Sequence, residues 1–283
     1  MIPAVETAAI GAQMILSLTT WVALAFYALA VMVLLTALRG RLAMQRAEPL
    51  ALSLAAAGVF IHGAHLGLAL WTPNGIDLSL FNATSLLGWL MALMLVIGAI
   101  RQPLHSLGLV VYPFAAIALI LAQTLGVPTA TMVPIGASVD IHVVTSVVAY
   151  AILGLASAQA LLLAWQESAL RRRRAGPILG FLPPLQGMEA LLFQLVASGF
   201  VMLSVALVSG WLFVDNLFAQ DLVHKTVISM TGWLVFAGLL IGRSLAGWRG
   251  RTAIRWTLWG FGLLAVAYFG SKIVLELILG QAT

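Results

Sequence analysis

Five histidines, His62, His65, His105, His142 and His224, carry most of the chemistry that this 283-residue sequence can offer. Imidazole changes charge near neutral pH and is the commonest nitrogen ligand for metals, so it suits both switching and coordination. His142 follows Ser138-Val139-Asp140 and opens an apolar run, and His224 follows Asp221 by three residues in DLVHKTVISMTGW (residues 221–233). Ser or Asp just ahead of an apolar run is an N-cap signal. Both histidines are therefore expected in the first turn of helices that start on one side, at similar depth. Two such imidazoles can grip one object from opposite sides, or simply reach up to water. His62 and His65 lie three residues apart and share a helix face. Gly63 and Gly67 beside them leave room for a neighbouring helix or a flat ligand. The same pair can equally be hydrogen-bonding glue between helices. His105, in a short connection after Arg101, reads as a solvated loop residue.

Other candidates are weaker. Trp71, Trp211, Phe213, Phe218 and Trp233 are expected near one outer level, which matches an ordinary aromatic belt or the walls of a flat ligand site. Lys225 and Lys272 are the sole lysines; either can face an anionic group, snorkel, or, for Lys272, pair with Glu276 four residues on. Glu189 reads as an interfacial residue. Cysteine is absent, which excludes disulfides, thiolate metal sites and thiol nucleophiles. No P-loop, HExxH or GxSxG occurs, and no carboxylate pair has a spacing suited to hydrolysis. The chain reads as a binder or carrier rather than a self-contained catalyst.

The elements that hold these residues must cross a membrane. Hydrophobic residues form 62% of the chain and charged ones 8%, with a mean hydropathy of +1.08. A soluble domain carries about 25% charged residues, so this chain lacks the polar surface that water requires. At roughly 20 apolar residues per crossing, eight spans are expected, at about Met14–Leu38, Pro49–Trp71, Asn82–Arg101, Leu107–Leu125, Ile141–Trp165, Met188–Phe213, Leu222–Ile241 and Trp256–Leu279. The fold class is thus all-α, a polytopic transmembrane helix bundle forming one integral membrane domain over residues 1–283. Every arginine, including the run Arg171 to Arg174, falls in connections on one side. The positive-inside rule makes that side cytoplasmic and puts both termini outside. The net charge of +5 is therefore topological, and nucleic acid is not an expected partner; a short basic loop still attracts anionic lipid. No basic n-region precedes the first apolar run, so no cleavable leader is expected. The connection from about Thr124 to Asp140 reads as re-entrant or surface-lying. Small pairs such as Gly154 with Ala158 allow close helix approach, and no internal repeat stands out.

The run LLFQLVASGFVMLSVALVSG (residues 191–210), followed by TGWLVFAGLLIGR (231–243) and AYFGSKIVLEL (267–277), resembles the cytochrome c assembly protein family, the haem-handling membrane group that contains CcsA, CcmC and CcmF. DIHVVTSVVAYAILGLA (140–156) looks like that family's helix with an outer-face histidine. SLFNATSLLGW (79–89), LVHKTVISMTGW (222–233) and RWTLWGFGLLAVAYFGSK (255–272) are similar to its eight-span YpjD and HemX type. The family's synthases carry a tryptophan-rich outer loop ending in a WDPKET-like sequence. Here the stretch is DNLFAQDLVHKT, which matches the motif's lysine with Lys225 but has no tryptophan. The synthases also have a histidine after the YFG of the last span and another near the position of Ile241, and neither is present.

The resemblance implies a haem-handling protein of the bacterial inner membrane, engaged in haem binding or transfer and cytochrome c assembly, that is not itself the thioether synthase. Haem b is the expected cofactor. His142 carries over by position as an axial ligand of the haem iron. His224 is the inferred second ligand and His65 the alternate, with His62, Trp233 and Lys225 near the ring or a propionate. The expected partners are haem, the lipid bilayer, and cytochrome c assembly or haem-biosynthesis proteins. Two other readings stay open. One is a non-haem accessory or regulatory subunit that holds a partner, such as a haem-biosynthesis enzyme, on its arginine loops. The other is a transporter with Asp140, Asp215, Asp221 and His224 in an outer vestibule.

Overall fold

A computed structural model describes residues 4–72, 75–126, 132–133, 137–172, 180–213, 220–270 and 272–273. Among these, eight helices are long and apolar enough to cross a membrane. They group into two compact units, residues 1–134 and 135–283. The first holds α1 (Ala4–Leu38), α2 (Met44–Ala69), α3 (Leu80–Ala99) and α4 (Gly108–Leu125), the last preceded by a single 3₁₀ turn at His105–Leu107. The second holds α5 (Ala137–Arg171), α6 (Leu185–Phe213), α7 (Gln220–Ala246) and α8 (Arg251–Ala265), which runs on into a π-helical turn at Val266–Gly270.

Each unit closes on itself in the same order. In the first, α1 packs on α2 and α4, and α3 packs on α2 and α4. In the second, α5 packs on α6 and α8, and α7 packs on α6 and α8. Helices are the natural solution here, because a segment in lipid must satisfy its own backbone N–H and C=O groups. Large apolar side chains such as Phe60, Leu245 and Trp259 remain exposed, as a lipid-facing surface requires and a water-facing one does not tolerate.

The helices overrun the apolar stretches at their arginine ends. α2 begins at Met44 with Pro49 inside it, and α5 runs to Arg171, where Trp165 was the expected end. Polar residues at headgroup level can continue a helix that hydropathy alone would stop. Pro49 forgoes only the bond to Gln45, close to the α2 start, where carbonyl groups can still reach water. Ion pairs mark the arginine end of each unit among the described residues. Glu48 of α2 lies 3.4 Å from His105 Nδ1 in the turn before α4. At the corresponding end of the second unit Arg243 Nη1 donates to Glu189 Oε1 at 3.3 Å and to the Trp248 carbonyl at 3.2 Å, with its guanidinium 4.5 Å above the Phe193 ring. His105 is therefore not a solvated loop residue; its side chain is 10% exposed and faces Glu48. Glu189 is likewise an ion-pair partner and more than a bystander at the interface.

At the opposite end of the first unit, a small antiparallel ribbon joins β1 (Trp71–Thr72), β2 (Gly75–Asp77) and β3 (Met132–Val133) in that order. Ile76 pairs with Trp71 on one side and Val133 on the other. The stretch expected to be re-entrant or surface-lying is thus tied down where it is described, at Met132–Val133. Asp77 accepts hydrogen bonds from the Ser79 N–H at 2.9 Å and from Asn82 Nδ2 at 3.0 Å, and so organises the start of α3.

Small residues set the closest approaches. A Cβ on Gly88 of α3 would sit 3.0 Å from the Ala115 Cα of α4, a backbone atom that cannot rotate away. Gly88→Ala is expected to cost about 1–2 kcal/mol by forcing the two helices apart. Unfolding in a mixed-micelle denaturation series would measure it.

Candidate functional site

His142 is the sixth residue of α5, because the helix begins at Ala137. Asp140 therefore lies inside the first turn instead of at the N-cap, and His142 sits one turn deeper than expected. α7 likewise begins at Gln220, so Asp221 is within it and His224 is its fifth residue. An acidic residue within the first turn still favours the positive end of the helix dipole, which explains the Asp-before-His pattern without a capping role.

The His142 ring is clasped by α6. Its Nδ1 lies 3.0 Å from the Ala206 carbonyl oxygen and 3.2 Å from Ser209 Oγ. A carbonyl only accepts, so Nδ1 carries the proton. Ser209 donates its own hydrogen to the same carbonyl at 2.9 Å, which leaves its oxygen free to share the Nδ1–H. In the neutral ring Nε2 then keeps its lone pair. This is the arrangement by which metal-ligating histidines are held: one nitrogen donates to a backbone carbonyl, fixing ring and tautomer for the other. The room for the ring comes from Gly210, where a Cβ would lie 2.9 Å from His142 Cε1 and 3.2 Å from Nδ1. The sequence alone did not single out Ala206, Ser209 and Gly210. The Ser-Gly pair near the end of the sixth apolar run is the signal that could have drawn attention to them.

The other candidates on this unit fall into two groups. Trp233 on α7 donates its indole N–H to Ser204 Oγ at 2.8 Å and stacks on Phe200 with centroids 5.2 Å apart. It clamps α7 to α6, about five residues (~7–8 Å) along α6 from the His142 clasp. Lys272 is buried beside the π-helical turn, its ammonium 5.6 Å from the Tyr268 ring centre. Lys225 is half-buried at the start of α7. The His224 backbone lies on the same helix; its side chain, like those of Asp140, Phe213 and Asp221, lies outside the described residues, as do Asp215, Phe218 and Glu276 entirely.

The two histidines of α2 have different surroundings. His62 is fully buried. Its Nδ1 meets the Tyr27 hydroxyl at 3.3 Å and its Nε2 meets Ser85 Oγ at 2.9 Å, so a neutral ring spends both nitrogens on hydroxyls of α1 and α3. Tyr27 also touches the ring edge-on, with centroids 5.9 Å apart. That is the glue arrangement. His65 is also buried, with Nδ1 3.1 Å from Thr19 Oγ1 and 3.3 Å from Thr20 Oγ1. Each threonine has a carbonyl acceptor on its own helix, at Leu16 or Ile15. Nδ1 can therefore be the donor to both oxygens, which leaves the lone pair on Nε2. Thr20 further reaches Gln123 Oε1 at 3.3 Å, and Gln123 Nε2 reaches Ser17 at 3.4 Å. The space over Gly63 is taken by the Trp89 indole, 2.9 Å from where a Cβ would be, with its N–H on the Val59 carbonyl at 2.8 Å. Gly63 thus seats a neighbouring helix. Over Gly67 nothing lies within 4 Å.

Among the described residues no three His, Asp or Glu side chains converge on one point. A bare ion would find an incomplete ligand set there, whereas a metallated macrocycle brings its own equatorial nitrogens and asks the protein for one or two axial groups. A histidine with one nitrogen pinned and the other free is that kind of group.

Comparison with known proteins gives a consistent picture. A family model described as "Cytochrome C assembly protein" matches residues 56–279. The chain is 34% identical over 208 residues to the "Inner membrane protein YpjD" of Escherichia coli K12, covering 72% of this chain and 78% of that protein. YpjD of Escherichia coli O157:H7 matches to the same extent. A 28.8 kDa protein from a nifR3-like 5′ region of Azospirillum brasilense is 34% identical over 147 residues, 51% of this chain and 54% of its own. No solved structure matches.

Proposed function

Because the chain belongs to the cytochrome c assembly protein family, we propose that it is a haem-handling membrane protein that binds haem b through His142 and holds or passes it on for cytochrome assembly. The observation that carries this reading is the clasp on His142: Nδ1–H donated to the Ala206 carbonyl, Nε2 left with its lone pair. In this reading His224 would be the second ligand, and His65, on the first unit, a separate alternate whose Nδ1 can donate to Thr19 and Thr20 and leave Nε2 with its lone pair. His62 is not carried forward as a ligand, since both its nitrogens are engaged. Trp233 supports the site by fixing α7 on α6, and Lys225, at the start of α7, is the cation for a propionate.

Haem, when bound, supplies iron-centred redox chemistry and its own spectrum; the protein supplies position and electrostatics. The residues of this chain hold the ring of His142, present one nitrogen and exclude the other from coordination. The missing tryptophan motif around DNLFAQDLVHKT argues for binding or transfer over thioether synthesis. The chain would act as one integral domain of a bacterial inner membrane, with its arginine ends cytoplasmic, both termini outside, and assembly or haem-biosynthesis proteins as partners.

An absorption spectrum of the purified, detergent-solubilised protein titrated with hemin tests the proposal. A saturable Soret band with a low-spin, histidine-ligated visible spectrum is the expected result. Protein that stays colourless at every hemin concentration overturns it. The clasp has its own test in Gly210→Val, whose branched side chain would occupy the space of the His142 ring. Displacing a group that orients a ligand lowers metal affinity about 10–100-fold, and a loss of that size in hemin titration is expected here.

A further inference from the structure

We propose that the second unit carries a binding pocket for the phosphodiester headgroup of an anionic membrane lipid, between the C-terminal part of α5 and the start of α8. A cavity of about 210 Å³ is lined there by Ala164, Glu167, Ser168, Arg251, Ile254 and Arg255. Arg251 and Arg255 are four residues apart, so they lie one above the other on the exposed face of α8. Arg251 Nε is 3.8 Å from Glu167 Oε2, so the two charged groups that line the cavity lie side by side. Glu167 neutralises one arginine and leaves Arg255 as the excess positive charge, with Ser168 as a neutral donor.

The profile beyond the cavity identifies the ligand as a lipid. The outward stripe of α8 continues from Arg251 and Arg255 to Trp259, which is 72% exposed, and on to Val266 at the start of the π-helical turn, also exposed. The outward stripe of α5 passes from Ser168 to Trp165 and Leu161, both exposed. From the cavity, both helices therefore run from polar to tryptophan to bare aliphatic surface. That order matches headgroup, glycerol region and acyl chain, and tryptophan favours the middle zone. An acidic soluble partner or a free anion would have no use for the apolar part of the gradient. Basic pockets between spanning helices are suited to anionic headgroups.

The test uses the full-length protein in nanodiscs of mixed phosphatidylcholine and phosphatidylglycerol, with retained lipid weighed by native mass spectrometry after release. Phosphatidylglycerol should be retained in preference to phosphatidylcholine. Arg251→Gln combined with Arg255→Gln should lower its affinity about tenfold, and Arg101→Gln, an exposed arginine of the first unit, should leave it unchanged. Glu167→Gln removes the competing carboxylate and should raise affinity about threefold, an opposite sign that damage to the fold would not produce. Equal retention of the two lipids, an equal loss on Arg101→Gln, or full displacement of the lipid by inorganic phosphate would each overturn the proposal.

Discussion

Replacing His142 with alanine is expected to lower haem affinity at least about tenfold while leaving the protein folded. The two halves of that expectation have separate causes. The loss of affinity follows from deleting an imidazole whose Nδ1–H is spent on a carbonyl and whose Nε2 has no hydrogen-bond partner among the described residues, a preorganisation that water or a mobile side chain would not reproduce. The modest effect on stability follows from the exposure of the site. His142 is half-buried near a helix start, and the bond lost is a single one, worth about 1 kcal/mol. Ser209 still donates to the Ala206 carbonyl in its absence, so no acceptor is orphaned. The vacated slot beside Gly210 has the shape of an imidazole, and added imidazole should restore part of the spectrum in His142→Ala. Hemin titration and thermal unfolding of the same sample read both halves. An unchanged spectrum in His142→Ala, together with its loss in His65→Ala, would transfer the role to the alternate ligand.

The second large effect is expected at His62, and it runs the other way. His62→Ala should destabilise the protein by about 2–4 kcal/mol and leave the spectrum per folded molecule unaltered. Hydrogen bonds between membrane helices average about 0.6 kcal/mol in net terms, so the two bonds themselves are a minor part. The larger part is what truncation leaves behind: a cavity at a fully buried position and two hydroxyls, Tyr27 and Ser85, that have lost the ring as partner. His62→Gln should recover part of the loss, because an amide can both donate and accept. Unfolding in mixed micelles, followed by helical signal, measures the cost. A His62 variant that lost haem before it lost stability would show that this histidine is a ligand after all.

The contrast between His62 and His142 shows where the sequence stops being informative. Both are histidines in apolar runs, and spacing could not rank them. His62 and His65 share a helix face, yet one ring spends both nitrogens on partners from two helices and the other spends one on adjacent threonines. Those hydroxyls come from residues 19, 20, 27 and 85, far away in the chain, and none stands out among ordinary threonines, tyrosines and serines. His105 shows the same limit: a position between Arg101 and an apolar run looks solvated until Glu48 is seen beside it. The Asp140 and Asp221 capping signals failed by a few residues, since the helices begin at Ala137 and Gln220, ahead of both acids.

What the sequence determined by itself was the class and the spans. Bilayer thickness fixes how many apolar residues a crossing needs, and backbone satisfaction in lipid fixes helix as the form. Both constraints act on local composition, so eight helices could be counted without knowing what they touch. The family was legible too, because its signature phrases are runs of contiguous residues. Tertiary structure decided which nitrogen of the His142 ring is pinned. That depends on a carbonyl at Ala206 and a missing Cβ at Gly210, contributed by α6 to a ring on α5. A hydrogen bond is made between groups that are neighbours in space, and hydropathy carries no record of which carbonyl will face which nitrogen.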